Sequence, residues 1–274
     1  LRLVGSEMCI RDSHDIVWMG AAVGNWACIA NLLRMNISYN NFDMLEVGYG
    51  INLRPLATFA AEVYADDPCE FFKPHILDYN KYDPVPEELT AKMHKAIAIC
   101  QFKIEGQRIK AHPEYKMEKR LLLDKINLSE GTVEVEGVKW PLRDLNFPTL
   151  DENDPYKLTE EEEEVMYSLA ASFMNSEKLQ AHIKFLYSHG ALYTKINGNL
   201  LYHGCIPMDE NGEFQEVELY GKKLKGKALM DYLDDQVRKA YYSPERSDET
   251  GYKGDLMWYC LLYTSPSPRD VEES

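Results

Sequence analysis

Apolar residues recur along this 274-residue chain with two periods, one of three to four residues and one of two, and each predicts a different kind of element. Residues 16–39, IVWMGAAVGNWACIANLLRMNISY, are apolar over most of a helical surface and read as one buried helix. Gly20, Ala21, Ala22 and Gly24 lie inside it, where each glycine costs about 1 kcal/mol relative to alanine, so a close backbone approach is expected there. After a polar loop (Asn40, Asn41, Asp43), residues 49–64 read as a second apolar helix, ended by Asp66, Asp67 and Pro68. Pro86 then suits the first turn of a long amphipathic helix in which Leu89, Met93, Ala96, Ile97, Cys100 and Ile104 make one buried stripe. Pro113 interrupts it, and residues 115–126 are expected to form a further helix.

The period then shortens to two. Residues 132–135 and 138–141 flank Glu136-Gly137 with β-branched side chains and predict a hairpin. A linker of Pro, Asp and Asn over 147–157 leads to Thr159, which with Glu162 makes a capping box. The glutamates from Glu160 to Glu164 therefore read as a helix start; adjacent helical positions do not converge on one metal ion. A helix over 176–188 with Gly190 as its terminator precedes strands 192–196 and 199–203 around Asn197-Gly198, a strong hairpin signal. Residues 227–241 read as a helix and 242–259 as a loop.

Composition narrows the function class. A hydrophobic share of 45% is that of a folded globular chain, and 45 acidic against 30 basic residues leave a net charge of −15, which argues against nucleic acid or an anionic membrane as partner. No apolar run reaches the length of a membrane span. Six scattered cysteines without a CxxC pair suit reduced thiols in a cytoplasm. The two ends, residues 1–13 (LRLVGSEMCIRDS) and 260–274 (CLLYTSPSPRDVEES), fit neither a signal peptide nor a continuing element. Both resemble translated sequencing-adapter text, and on that expectation residues 14–259 are an internal fragment.

Two histidines invite chemical roles. His14-Asp15 stands immediately before the helix that starts at Ile16, and a carboxylate beside an imidazole fixes its tautomer and raises its basicity. His203-Gly204 ends an apolar strand, a position that puts a side chain on a rim. Taken alone, the first pair reads also as a helix cap beside a solvated imidazole, and the second is more often a polar strand edge than a ligand.

The stretches HDIVWMGAAVGNWACIANLL, GYGINLRPLATFA, INGNLLYHGCIPM and YYSPERSDETGYKGDLMWY, in this order, resemble class III fructose-1,6-bisphosphatase, the long bacterial form. The resemblance implies an α+β fold: part of a calcineurin-like metallophosphatase αββα sandwich, with core segments at 14–42 and 158–259 and a large, mainly helical insertion or cap at 43–157. It implies hydrolysis of the 1-phosphate of fructose 1,6-bisphosphate, a gluconeogenic step, at two divalent metals, manganese by preference. His14 would contact the phosphate or protonate the leaving sugar oxygen, Asp15 would orient His14, and His203 would ligate metal. Arg246 and Lys253 are candidates, on charge, for the second phosphate.

The superfamily's Gly-Asn-His-Asp motif is only half present, since Asp12 and Ser13 stand where Gly and Asn are expected. Its upstream aspartate motifs and its last histidine are not matched, so this chain alone is expected to be inactive. The implied partners are fructose 1,6-bisphosphate and a further copy in a homo-oligomer. A protein-phosphatase-like metallophosphatase and a non-catalytic helical interaction module are the competing readings.

Overall fold

The computed structural model describes residues 9–10, 13–75, 85–202, 206–242 and 254–264. In chain order, the first elements are β1 (Cys9–Ile10), α1 (Ser13–Ala22), α2 (Trp26–Ser38), α3 (Arg54–Val63) and α4 (Glu87–Ala111). Three short strands follow, β2 (Ile126–Asn127), β3 (Thr132–Val135) and β4 (Val138–Pro141), and then α5 (Glu160–Asn175) and α6 (Glu177–His189). The remainder is β5 (Gly190–Ala191), β6 (Tyr193–Ile196), β7 (Asn199–Tyr202), β8 (Val217–Leu219), β9 (Lys222–Leu224), α7 (Gly226–Tyr242) and α8 (Asp255–Thr264). These divide into two compact units, residues 30–172 and residues 1–29 with 173–274.

The single helix expected over 16–39 is two. Gly24 adopts φ +83°, the N–H of Asn25 bonds the carbonyl of Gly20 at 3.0 Å, and the N–H of Gly24 bonds that of Ala21 at 3.0 Å. This is a Schellman closure of α1, which satisfies carbonyls that the helix end would otherwise orphan. Asn25 then caps α2, its side-chain oxygen accepting from the N–H of Cys28 at 2.9 Å. The close approach expected at the small residues is real at Gly20, where a Cβ would lie 2.3 Å from Cys28 Sγ.

In the unit formed by the two chain ends, α1 packs on α6 and α8, and α7 packs on α8. Ile16, Val17 and Met19 meet a core that includes Leu179, Ile183, Leu233 and Val237. The 242–259 loop expectation fails at its far end: α8 begins at Asp255 and runs through Tyr259 to Thr264, with Met257 and Trp258 fully buried. Burial of that apolar run against α1 and α7 outweighs the loop-like polar residues before it. Gly190 caps the C-terminal end of α6 as expected, and at φ −99° and ψ 152° it is extended and starts β5.

In the other unit, α3 packs on α4. Helix α4 starts after Pro86, which caps rather than enters it, and it is buried on far more than one stripe, Lys95, Lys103 and Arg108 included. Lys95 Nζ bonds Asp67 Oδ2 at 2.6 Å and Asp144 Oδ2 at 2.7 Å, and it lies 5.3 to 5.8 Å from the ring centroids of Tyr64, Phe72 and Phe147. Lys103 Nζ bonds Glu162 Oε2 at 2.7 Å and the carbonyl of Thr149 at 2.6 Å. Cations at 0% exposure are tolerable only with such partners.

The helix expected over 115–126 is replaced by short 3₁₀ turns at Glu118–Arg120 and Leu123–Lys125. Lys116 at φ +54° breaks the helical path, and only Tyr115 and Leu123 in the stretch are buried, so no apolar stripe is available to dock a helix. The capping box forms as read: Thr159 N–H donates to Glu162 Oε2 at 2.8 Å and Glu162 N–H donates to Thr159 Oγ1 at 3.2 Å. Both hairpins also form in the expected register around their two-residue turns, Val135↔Val138 and Ile196↔Asn199.

Candidate functional site

Helix α1 opens with Ser13, His14 and Asp15, so the His-Asp pair stands in the first turn, where the helix dipole favours a carboxylate. Asp15 is half-buried, and the side chains that follow it, Ile16 and Val17, are anchored in the core. The strand before this turn, β1, pairs in parallel with β5 through Cys9↔Gly190 and Ile10↔Ala191. One residue after β5 the chain enters β6, and Tyr193 faces Tyr202 across the β6–β7 hairpin. Tyr202 is the residue before His203. The segment leading into His14-Asp15 thus pairs with β5, which precedes the β6–β7 hairpin by one residue and forms a separate sheet from it.

Of the residues singled out in the sequence, Asp15 alone has a described side chain. The side chain of His14 and the residues His203, Arg246 and Lys253 lie outside the described residues. Among the described residues no three His, Cys, Asp or Glu side chains gather into a set that could hold a metal ion. The metal ligand that the resemblance names, His203, lies outside the described residues, and no chemical step is assigned to a metal. The described thiols of Cys28, Cys69, Cys100 and Cys260 are buried. Burial pushes the Cys69 thiol up to about 12, helped by the charge of Asp67, which makes it a packing residue rather than a nucleophile.

Two features beside the β5–β6 segment were missed in the sequence. A cleft of about 350 Å3 is lined by residues 191–195 with Asp231 and Asp234. Asp231 accepts from Lys227 Nζ and, at 2.6 Å, from the Tyr193 hydroxyl; these two bonds hold its carboxyl below the usual aspartate range. Two turns further along α7, Arg238 donates from Nε to Asp234 Oδ2 at 2.7 Å and from its two terminal nitrogens to the carbonyls of Tyr187 at 2.6 Å and Gly190 at 3.0 Å. One guanidinium thereby closes the C-terminal end of α6 and fixes the start of β5. The i,i+4 spacings Lys227/Asp231 and Asp234/Arg238 were visible, but spacing within a helix cannot show that Arg238 reaches a neighbouring backbone. Replacing Arg238 with alanine leaves those carbonyls without their charged donor, and a loss of about 1.5–3 kcal/mol per charged bond lost is the scale expected in urea unfolding. A change below about 0.5 kcal/mol would show that solvent replaces the clamp fully.

The chain matches a family of phosphatases. The model of the Firmicute fructose-1,6-bisphosphatase family matches residues 10–269, and the chain belongs to that family. It is 53% identical over 254 residues to a class 3 fructose-1,6-bisphosphatase of Clostridium acetobutylicum, and 55% identical over 256 residues to that of Clostridium botulinum strain Langeland. A Clostridium tetani relative of the same description is 53% identical over 247 residues. The first two alignments cover 93% of this chain but 38% of the relative, so the chain spans well under half the length of the curated relatives it matches. No solved structure matches. No described helix is long and apolar enough to cross a membrane.

Proposed function

We propose that this chain contributes part of a fructose-1,6-bisphosphatase that hydrolyses the 1-phosphate of fructose 1,6-bisphosphate with divalent metal, manganese by preference, in the gluconeogenic direction. The observation that carries this reading is the family match over 10–269, which contains all four of the quoted stretches and both histidines.

In this reading the chain belongs to a calcineurin-like αββα sandwich, with residues 43–157 as its helical insertion. Asp15 holds the His14 ring in one tautomer, and His14 meets the phosphate or gives its proton to the leaving sugar oxygen. His203 supplies a metal ligand, and Arg246 and Lys253 face the second phosphate as cations. The place of action is the cytoplasm, the partners are the sugar bisphosphate and further copies of the same protein, and neither nucleic acid nor membrane takes part.

Phosphate release from fructose 1,6-bisphosphate with added manganese tests the proposal. It is measured for this chain and for a chimera in which the chain replaces the matched span of the Clostridium acetobutylicum relative. The chain alone is expected to be inactive and the chimera active, with His14→Asn lowering the chimera's turnover by about 100-fold. A chimera that releases no phosphate sinks the reading, and one that prefers a phosphopeptide makes the site that of a protein phosphatase.

A further inference from the structure

Three buried oxygen atoms beside the Lys103–Glu162 pair make no hydrogen bond to the protein: the Tyr64 hydroxyl, the Thr149 hydroxyl and Oε1 of Glu162. They come from distant parts of the chain. Tyr64 is the C-terminal cap of α3, Thr149 lies in the turn closed by the Leu150 N–H on the Phe147 carbonyl, and Glu162 stands in the first turn of α5. Lys103 bonds both the Thr149 carbonyl and Glu162 Oε2, so those two residues flank one ammonium. Tyr64 stands beside both of them. Burial pushes its hydroxyl well above the usual tyrosine range, Cys100 and Glu162 push the same way, and the Thr149 hydroxyl works against them. Tyr64 and Glu162 are each 1% exposed, and the buried Cys100 lines the same nest.

Leaving such atoms unbonded inside a protein is costly, and most of all for a carboxylate oxygen. Whatever satisfies them has to match their chemistry. Oε1 of Glu162 can only accept, the protonated Tyr64 phenol donates, and the Thr149 hydroxyl does either. Charge rules out an ion, because Lys103 already balances Glu162 one for one. A cation would leave a buried positive charge in excess, and an anion would face the carboxylate. The ligand that remains is neutral, small and able to donate and accept at once.

We propose that one ordered water molecule binds in this nest and bonds all three oxygens, as a fixed link between α3, the 147–150 turn and α5. It donates to Glu162 Oε1, accepts from Tyr64 and takes Thr149 as its third partner, the usual number for a buried water. The capping box and Lys103 tie α5 to its own first turn, to α4 and to Thr149, and neither reaches α3. The water adds that connection. The nest lies wholly within the unit of residues 30–172, and no step of the phosphatase reading uses it, so a chimera without activity still reports on it.

A crystal structure of the chimera described above, grown with rubidium chloride, tests this. One density peak is expected within about 2.5–3.0 Å of Tyr64 Oη, Thr149 Oγ1 and Glu162 Oε1, without the anomalous signal of rubidium. A direct bond from Tyr64 to Thr149 or Glu162 with no such peak overturns the proposal. An anomalous peak also overturns it, because the occupant would then be a monovalent cation. In solution, oxygen-17 relaxation dispersion counts long-lived waters. That count is expected to fall by one when Tyr64→Phe and Thr149→Val are combined, and to stay the same in Tyr167→Phe, which alters an exposed ring on α5. An unchanged count in the folded double variant counts against the water. The crystal result needs no variant, so it decides even where the double variant does not fold.

Discussion

Replacing Lys95 with alanine should lower the unfolding free energy by about 3–5 kcal/mol, the cost typical of breaking a buried ion pair by removing one partner. The reason lies on both sides of the cation. Asp67 and Asp144 both bond Lys95 Nζ, and the lysine side chain is 0% exposed, so water does not take its place easily. Asp67 also accepts from the Cys69 N–H at 2.8 Å and from Asn146 at 2.9 Å, which keeps its carboxylate in place after the cation has gone. Burial works against that carboxylate, but the bonds from Lys95, Cys69 and Asn146 prevail and hold its pKa below the usual 3.8. A carboxylate with a depressed folded-state pKa contributes stability that is present above 3.8 and is lost as pH falls through the lower value. Urea midpoints should therefore fall in acid for the original protein and vary less with pH in Lys95→Ala. A Lys95→Ala variant within about 1 kcal/mol of the original at pH 7 would mean that the pair is not sealed from solvent.

Glu162→Ala is the second large effect, about 3–5 kcal/mol from the buried charge left on Lys103, with about 1 kcal/mol more from the lost cap. One carboxylate oxygen does both tasks, accepting from Lys103 Nζ at 2.7 Å and from the Thr159 N–H at 2.8 Å. Glu163→Ala, one residue along on the exposed side of α5, should stay within about 0.5 kcal/mol. Comparing the two by urea unfolding separates the role of Glu162 from that of the acidic run. Equal losses in both variants would show that the run acts through its summed charge on the helix terminus.

These cases mark how far the residues could be read. The capping box was legible because it is local: Thr159 and Glu162 are three residues apart and satisfy each other's backbone. The partner of Glu162 was not, because Lys103 lies 59 residues away and nothing along the chain distinguishes it from a solvated lysine. The same blindness turned α4 into a helix with one buried stripe. Its lysines read as a polar face, whereas Asp67 and Asp144, from loops on either side in sequence, allow Lys95 to be buried. The break between α1 and α2 was within reach, since Gly24-Asn25 is a recognisable stop and cap. Continuous apolar character across it hid the signal. In α8 the opposite happened, and the loop-like residues before Asp255 masked an apolar helix. Of the candidate site, His14-Asp15 could be placed at a helix start from sequence, but the Arg238 clamp depends on contact between α7 and the α6–β5 turn and has no sequence signature.

The amino-acid sequence by itself determined the chain's family, the two hairpins with their registers, the start of α5 and the helix opened by His14-Asp15. Each of these rests on order along the chain, on turn residues or on bonds between neighbours three or four positions apart. Only the tertiary structure decided which charges are buried and how β1 and β5 bring distant segments together. Those outcomes depend on groups far apart in sequence that compete with water for the same bonds, and the free energy of burial is set by what surrounds a side chain, not by what precedes it.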